Sequence, residues 1–302
     1  MDLNWLEDFL ALAEHRNFSR AAEARNVTQP AFSRRIRALE EWVGTPLVAR
    51  LPQGVALNAA GEFLREQAEG LTRDLHQMRR GALKAAGREG AALAIAATHA
   101  LSFTFFPGLI RALPMQESLG TLNLISDTMA ACERVLLAGD ADFLLCHARS
   151  GVPTRLTPDA FTHLVVGSDQ LVPVSVPNAS GAAQWTLPGT PSSPVRLLAY
   201  NSASGLGRIL EATQRQFAHP PSLDPVFTAP LAAALHTMSR QGQGMAWLPR
   251  TMVADDLAAG RLVEAGGEEF SIALEIRLVR PLRRQSKTAE GFWAAVSRLA
   301  MP

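Results

Sequence analysis

Residues 18–44 read FSRAAEARNVTQPAFSRRIRALEEWVG, and this stretch decides the fold of the N-terminal part of the chain. It predicts one helix from about Ser19 to Arg25 and a second from Thr28 to about Val43, joined by a tight turn at Asn26–Val27. Ser19 and Thr28 are expected N-caps, because their hydroxyls can accept the first free N–H groups of a helix. Two helices around such a turn have helix-turn-helix geometry.

The second of these helices has two chemically different faces. Phe32, Ile36 and Leu39 recur at spacings of four and three, so they are expected to point inwards. The opposite face carries no acid in its first two turns and contains Gln29, Ser33, Arg34 and Arg37. Gln can bridge two edge atoms of adenine, and Arg can bind guanine through two donors. The pattern predicts a helix that reads the major groove of DNA; the alternative is a helical hairpin with a basic stripe.

We expect two kinds of DNA contact from this region. Those to base edges are assigned to Gln29, Pro30, Ser33 and Arg34. Those to phosphates are assigned to Thr28, Arg35 and Arg50, and Arg37 completes the DNA-facing set. Arg50 has an alternative role, since it can pair with an acid of the first three helices.

The segments around the helix-turn-helix are also predicted from pattern. Residues 2–15 form an amphipathic helix, and 47–57 form two short apolar runs around Pro52–Gly54, which is typical of a wing. Asn58 can cap a long helix that continues to about Ala86. Its apolar residues recur at spacings of four and three, which predicts a dimerisation seam at Leu64, Ala68, Leu71, Leu75 and Met78. The alternative is an ordinary surface helix.

From residue 91 onwards, predicted strands alternate with predicted helices, which indicates an α/β architecture with largely parallel sheets. Two of the predicted strands are 164–167 and 171–176, and one predicted helix covers 104–113. Residues 177–194 are rich in Gly, Ser and Pro and are expected to form a surface excursion.

Composition excludes several classes of protein. The chain has 302 residues, 47% of them hydrophobic, with a net charge of +1, so disorder is unlikely and charge alone predicts no partner. Its two cysteines fit a reducing compartment, and no secretory signal or apolar run of membrane-spanning length occurs. No hydrolase, zinc-protease, P-loop or dinucleotide motif is present. We therefore expect a cytoplasmic protein that is not an enzyme and has no cofactor or metal.

These motifs together resemble the LysR-type transcriptional regulators. The resemblance rests on 9–13, 18–44, PLVAR at 46–50, and Ala60–Gly61. One departure is Asn58, where the family usually has Thr or Ser, although Asn caps a helix equally well. A narrower resemblance, to the branch that contains hypochlorite-responsive regulators, rests on three segments: QPAFSRRIRALE at 29–40, THALSFTFFPGLI at 98–110 and GMAWLP at 244–249.

The resemblance implies an N-terminal all-α winged helix-turn-helix with a long linker helix, followed by a C-terminal α/β two-lobed periplasmic-binding-like effector domain. The implied bounds are 1–58 for the DNA-binding domain, with its helix-turn-helix at 18–37, 59–89 for the linker and dimerisation helix, and 90–302 for the effector domain. Within the last, lobe one is 91–163 with 268–302, and lobe two is 168–265.

In such a fold the effector lies between the lobes, where strands end and helices begin. The residues expected there are Thr98, His99, Ser102, Ser126, Asn201, Ser202 and Ser204. Each hydroxyl has an alternative role as a simple N-cap, and His99 has one as a histidine bonded to the backbone. Cys146 is either a redox-sensitive thiol or a buried, inert one.

The sequence thus favours a regulator that binds operator DNA as a homodimer, or a homotetramer, and responds to a small-molecule effector. One alternative is an oxidant-responsive regulator of the hypochlorite type, which senses through Met or Cys oxidation. A distant alternative is a two-lobed solute-binding protein without a regulatory role, but such a protein has no use for a basic helix at its N-terminus.

Overall fold

The computed structural model describes residues 2–51, 54–86, 93–113, 120–215 and 217–300. The chain divides into two compact units, Met1–Glu89 with Leu137–Asp140, and Gly90–Leu136 with Ala141–Pro302. Each unit is built around its own apolar cores. No helix among the described residues is long and apolar enough to span a bilayer.

The first unit is a helical domain with a two-stranded wing. Its elements are α1 (Leu3–His15), α2 (Phe18–Ala24), α3 (Gln29–Val43), β1 (Val48–Leu51), β2 (Gly54–Leu57) and α4 (Ala59–Ala85). The predicted inner face of α3 is confirmed, because Phe32, Ile36 and Leu39 are buried against Leu6 and Phe9 of α1. This packing fixes the outward direction of the opposite face of α3.

The helix ends follow the expected chemistry with one correction. Asn17, and not Ser19, caps α2: its Oδ1 accepts hydrogen bonds from the backbone N–H of Ser19 at 3.0 Å and of Arg20 at 3.1 Å. Asn is at least as good an N-cap as Ser, so the helix begins one residue earlier. Thr28 is the N-cap of α3 without a side-chain cap bond, and Asn58 caps α4 through the N–H of Gly61 at 2.9 Å.

The wing is tied to the end of α1 by backbone contacts. The N–H of Val55 donates to the carbonyl of Arg16 at 3.0 Å. At Gly54 the backbone has φ +135°, and a Cβ there would lie 2.6 Å from the same carbonyl oxygen. A residue other than glycine would therefore push the wing away from α1.

The second unit is an α/β structure. Its strands are β3 (Leu93–Thr98), β4 (Leu122–Asp127), β5 (Phe143–Ala148), β6 (Phe161–Ser175), β7 (Val195–Tyr200), β8 (Leu223–Ala229), β9 (Ala246–Pro249), β10 (Val263–Glu264) and β11 (Ile272–Pro281). Its helices are α5 (His99–Thr104), α6 (Phe106–Ala112), α7 (Met129–Leu137), α8 (Gly205–Gln214), α9 (Ala232–Arg240), α10 (Arg250–Ala258) and α11 (Lys287–Ala300), with a 3₁₀ turn at Glu268–Phe270.

The large sheet is mixed, which corrects the expectation of largely parallel sheets. Its order is β10-β6-β11-β5-β3-β4, with β9 also paired to β6. Only β5, β3 and β4 are parallel neighbours, whereas β6 is antiparallel to β9, β10 and β11. A separate pair, β7 and β8, is parallel.

One expectation about individual elements was wrong and another was incomplete. Segments 164–167 and 171–175 lie within one strand, β6, of 15 residues. The polar stretch at Gly167–Gln170 resembles a turn in sequence, but β11 pairs along it and satisfies its backbone groups. The helix predicted at 104–113 is present as α6, but a further short helix, α5, precedes it and was not predicted.

Two apolar cores divide this unit into lobes. The first packs β3 and β5 against α11 and includes Ile276 and Leu278 of β11. The second surrounds the buried Trp247 and includes Ile272 and Leu274 of the same strand. Strands β6 and β11 therefore run through both lobes, and the ends of β5, α7 and α8 approach one another beside them.

Candidate DNA interface and effector site

The outward face of α3 presents most of the side chains expected to contact DNA. Thr28, Gln29, Pro30, Arg34 and Arg37 are exposed. Ser33, which is also expected at DNA, is half-buried. The Nε2 group of Gln29 donates to the Oγ of Ser33 at 3.1 Å, so the two are already oriented together. This leaves the second N–H and the oxygen of the Gln29 amide for a base edge.

A groove of ≈ 280 Å³ lies beside these residues, between α2, the start of α3 and the wing. Gln29 and Ser33 form one side of it, and Gly54 and Val55 of the wing form another. Asn17 and Ser19 also line the groove, and the sequence analysis did not assign them to the interface. Both are polar residues at the start of α2, a position at which a polar residue is explained by helix capping alone.

The arginines of this unit fall into two groups. Arg34 and Arg37 have no carboxylate partner among the residues that the structure describes. Arg25 and Arg35 point inwards, to the fully buried carboxylate of Asp8. The expectation that Arg35 contacts phosphate is therefore not supported, because its Nη1 lies 3.2 Å from Asp8 Oδ2. Arg50 belongs to β1, but its side chain lies outside the described residues.

Asp8 is the centre of an ion-pair network that the sequence analysis missed. Arg25 donates to Asp8 at 2.8 Å through Nε and to Glu7 through Nη2. Glu7 is in turn 2.8 Å from Nε2 of His76 on α4. Burial would lower the pKa of Arg25, but its bonds with Asp8 and Glu7 raise that pKa above its ordinary value. The network thus links α1 to α2, α3 and α4.

The apolar residues of α4 lie in two environments: some pack in the core of the first unit and others are exposed to solvent. The expected dimerisation seam contains residues of both kinds. Ala68 is buried in the core of the first unit and is therefore not available to a second chain, whereas Leu64 is only partly buried against the same core. Leu75 is half-buried, whereas Leu71 is 46% exposed and Met78 is 66% exposed. Phe63, which was not predicted, is 67% exposed. Among the α4 side chains that the structure describes, the large exposed apolar ones are Phe63, Leu71 and Met78, and we call these the exposed stripe of α4.

Three of the expected effector residues, His99, Ser102 and Ser126, meet at the ends of β3 and β4. Ser126 Oγ is 2.8 Å from Ser102 Oγ and 3.0 Å from Nδ1 of His99. Ser102 also donates to the carbonyl of His99 at 2.7 Å. These three side chains form one closed hydrogen-bonded group.

A cleft of ≈ 30 Å³ lies between the ends of strands and the starts of helices from both lobes. Of the expected residues, Thr98, His99 and Ser204 line it. The Oγ1 atom of Thr98 is buried and has no hydrogen-bond partner in the described part of the chain. Ser204 also caps α8 through the N–H of Gly207 at 3.3 Å, so its alternative role as a cap is confirmed.

Four of the seven expected residues do not line the cleft: Ser102 and Ser126, which form hydrogen bonds with His99, and Asn201 and Ser202, which lie elsewhere. Asn201 and Ser202 are exposed and do not line the cleft, and the Oδ1 of Asn201 accepts a bond from the N–H of Ala203. The physical reason is local: the two residues form the turn that leads into α8, and only Ser204, at the N-cap, is buried.

The cleft contains a histidine that the sequence analysis did not select. His147, at the end of β5, is buried and its Nε2 is 3.2 Å from Oδ2 of Asp169 on β6. Thr251, at the start of α10, donates to the same Asp169 oxygen at 2.6 Å. Burial would raise the pKa of Asp169, but these two hydrogen bonds outweigh it and the pKa lies below its ordinary value. No local pattern signals this group, because its members come from three distant segments.

Both cysteines are buried and free. Burial raises the pKa of Cys146 to about 12, and burial also raises that of Cys132 to about 12. A thiol in this state has almost no reactive thiolate at neutral pH, so the inert interpretation of Cys146 is favoured. Within the described ranges, no group of His, Cys, Asp and Glu could hold a metal ion.

Comparisons with known proteins cover both units. Residues 3–62 match the family model for bacterial regulatory helix-turn-helix proteins of the lysR family, and residues 86–300 match that for the LysR substrate binding domain. The HTH-type transcriptional regulator YjiE of Escherichia coli is 31% identical over 302 residues, which is 99% of this chain and 95% of the relative.

Two solved structures are similar to this chain over nearly its whole length. The DNA complex of Vibrio fischeri DarR has a TM-score of 0.57 and 29% identity, and covers 98% of both chains. Full-length HypT of Salmonella typhimurium, a hypochlorite-specific LysR-type regulator, has a TM-score of 0.58 and 30% identity, over 99% of this chain and 98% of its own. The chain therefore belongs to the LysR family of bacterial transcriptional regulators, with a DNA-binding helix-turn-helix domain followed by an effector-binding domain.

Proposed function

We propose that α3 reads operator bases through Gln29 and Arg34, with Ser33 positioning the Gln29 amide, while Arg37 and Thr28 contact phosphates. The observation that carries this proposal is the outward face of α3 from Gln29 to Arg37, which carries no acid and where two arginines have no carboxylate partner in the described residues. Such guanidinium groups are free to bind guanine edges or phosphates. Pro30 contributes by starting the helix, and we assign Arg35 to the internal network with Asp8.

The substitutions Gln29→Ala and Arg34→Ala test this assignment. Each is expected to weaken binding to a specific operator by about 1–3 kcal/mol, because each removes a two-point base contact. Gln29→Ala changes no charge, so its affinity for random DNA is expected to stay nearly constant. The measurement is an electrophoretic shift of a fragment from upstream of the protein's own gene, at about 0.15 M salt.

Arg215→Ala is the matched control for Arg34→Ala, because it removes an equal charge from an exposed position at the C-cap of α8 in the other unit. It is expected to leave both affinities unchanged. An unchanged ratio of specific to random affinity in Gln29→Ala would show that α3 does not read bases at this position.

We propose that the cleft between the lobes binds the effector, and that the effector has only a few heavy atoms. A cavity of ≈ 30 Å³ has room for two or three water molecules, at roughly 10–15 Å³ each. Its walls include the unpaired hydroxyl of Thr98 and the imidazoles of His99 and His147. The regulatory domain of Salmonella typhimurium HypT, 25% identical to this chain with a TM-score of 0.57, has been solved with a bromide ion bound, which supports a small anion as the first probe.

Ser204→Trp tests the cleft. The indole is expected to fill it and to abolish the rise in melting temperature that sodium bromide produces at constant ionic strength in the unmodified protein. Operator affinity in the absence of bromide is expected to be unchanged. Ser192→Trp, on an exposed loop, is the control and is expected to respond normally. A full response in Ser204→Trp would remove the cleft as the sensor.

We further propose that the protein acts as a homodimer or homotetramer in the cytoplasm, where bacterial operators are found, and that it has no catalytic activity. The exposed stripe of α4 supports self-association. The separate cores support a division between 1–89 and 90–302 and, within the latter, two lobes. We assign 1–58 to DNA binding and 59–89 to the linker and dimerisation helix, with lobe one at 91–163 plus 268–302 and lobe two at 168–265, although Phe270, Ile272 and Leu274 pack in the core of the second lobe.

A further inference from the structure

Helix α4 changes character along the side that packs in the first unit. Of its described side chains, Ala60, Leu64 and Ala68 belong to the apolar core of that unit. Thr72 and His76 follow Ala68 at steps of four residues, and both are polar. Apolar packing therefore fixes the first part of α4, whereas the part beyond Ala68 depends on polar contacts.

Thr72 does not supply such a contact. Its side chain is buried, and its Oγ1 has no hydrogen-bond partner among the residues that the structure describes. A buried hydroxyl group without a partner costs free energy, because it has lost its bonds to water and gained none in exchange. Thr72 therefore weakens the attachment of this part of α4.

His76 supplies the contact that Thr72 does not. Its Nε2 lies 2.8 Å from Oε1 of Glu7 on α1. The carboxylate accepts this hydrogen bond and the imidazole donates it. The two side chains are only 17% and 20% exposed, so water competes little for the bond. We call this contact the Glu7–His76 clip.

The clip is connected to the reading helix through the ion-pair network. The other oxygen of Glu7 accepts from Arg25, which follows α2, and Arg25 also donates to Asp8. Asp8 in turn accepts from Arg35 of α3. Glu7 thus belongs to the part of the unit that holds α3, and a change in the direction of α4 changes the direction of α4 relative to α3.

The distance of the clip from the start of α4 gives it leverage over the direction of the helix. His76 lies roughly 25 Å from Ala59 at about 1.5 Å per residue, so a displacement of about 1 Å at the clip corresponds to a rotation of about 2°. A dimer on adjacent half-sites has reading helices about 34 Å apart, or about 17 Å from its axis. A rotation of about 10° moves each of them by about 3 Å, close to the rise of one base pair.

We propose that the Glu7–His76 clip fixes the direction in which α4 leaves the DNA-reading unit, and that it thereby sets the half-site spacing that the dimer prefers. His76 is a positioning residue, because it acts through the direction of α4. The inference rests on the proposed base reading by α3 and on the proposed self-association through α4.

The test begins with selection of bound duplexes from a pool of random DNA by the full-length protein. Affinities are then measured for the selected duplex and for versions whose half-site spacing is changed by one base pair. We expect the unmodified protein to prefer one spacing by about tenfold or more. His76→Ala should reduce this preference to about threefold or less, because α4 can then take several directions at similar cost. His76→Gln, whose amide can donate to Glu7, should restore most of it.

Two controls isolate the clip. His15→Ala removes a histidine that also lies beside a carboxylate, that of Glu14 in its own helix, at 3.9 Å. Thr72→Val alters the same side of α4 but leaves the clip intact. Both variants should keep the spacing preference. If His76→Ala does not fold, His76→Leu, which keeps the bulk without a donor, replaces it.

Affinity for a duplex with a single half-site separates positioning from a general loss of structure. It should be unchanged in the His76 variants, because the core beneath α3 is not altered. The inference is overturned if His76→Ala or His76→Leu keeps the unmodified spacing preference, or if its affinity falls equally at every spacing and on the single half-site. The proposed function would fail differently, since the unmodified protein would then select no half-site, or half-sites without a fixed spacing, and the inference would fail with it.

Discussion

Asp8→Ala is expected to destabilise the DNA-binding unit by about 3–5 kcal/mol, the cost of removing one member of a buried ion pair. The Asp8 carboxylate is fully buried and accepts from both Arg25 and Arg35. Without it, Arg35 loses its ion-pair partner and Arg25 keeps only Glu7. Since each arginine is about one-third exposed, we expect the lower end of this range.

Two quantities are measured on the full-length protein: the midpoint of urea denaturation and the affinity for operator DNA. The midpoint of the transition of the first unit should fall while the transition of the second unit stays in place. Operator affinity should fall as well, because the network fixes α2 and α3 relative to α1. Asp8→Asn, which keeps the shape and removes the charge, is expected to behave similarly.

Glu62→Gln is the matched control for a carboxylate in an ion pair. Glu62 and Arg65 are both substantially exposed, so their pair contributes at most about 1 kcal/mol. An Asp8→Ala protein that is as stable as Glu62→Gln would show that the network does not stabilise the unit.

The second large effect is expected from the exposed stripe of α4. The double substitution Leu71→Glu with Met78→Glu places two charges in a face that we propose to be covered by a second chain. The protein should become monomeric by light scattering, and operator affinity should fall by about 10²–10⁴-fold, because two linked DNA-binding units bind two half-sites together.

Leu71→Met with Met78→Leu keeps the apolar character of the stripe and should remain a dimer of full affinity. Ala68→Glu provides a different contrast, because Ala68 is buried in the core of the unit and its substitution should unfold that unit. A dimeric mass with retained operator affinity in the Leu71→Glu and Met78→Glu double variant would exclude the stripe as the interface.

Helix α4 shows what apolar periodicity in the sequence can predict and what it cannot. Spacings of four and three identified the helix and its apolar character correctly. They could not assign each apolar residue to one of two partners, because a residue that faces its own domain and one that faces a second chain have the same periodicity. Packing against α1 assigned Leu64 and Ala68 to the internal core.

In the effector unit, too, some residues of the cleft could be selected from local sequence and others could not. Thr98, His99 and Ser204, which line the cleft, were selected from sequence because they follow strands or precede helices, which is a local property. His147 and Asp169 were not assigned, because their contact depends on which distant segments meet. The polar stretch of β6 was misread as a break for the same reason, since its hydrogen-bond partners lie more than a hundred residues away on β11.

The sequence by itself determined the helix-turn-helix, the outward face of α3, the wing and the α/β character of the second unit. These features depend on helix caps, glycine and proline positions and apolar periodicity, all of which act within a few residues. Only the tertiary structure decided which charges are neutralised and which remain available. Arg34, Arg35 and Arg37 lie within one turn of the same helix, yet only Arg35 meets a buried carboxylate, because α1 brings Asp8 to that side of α3 alone.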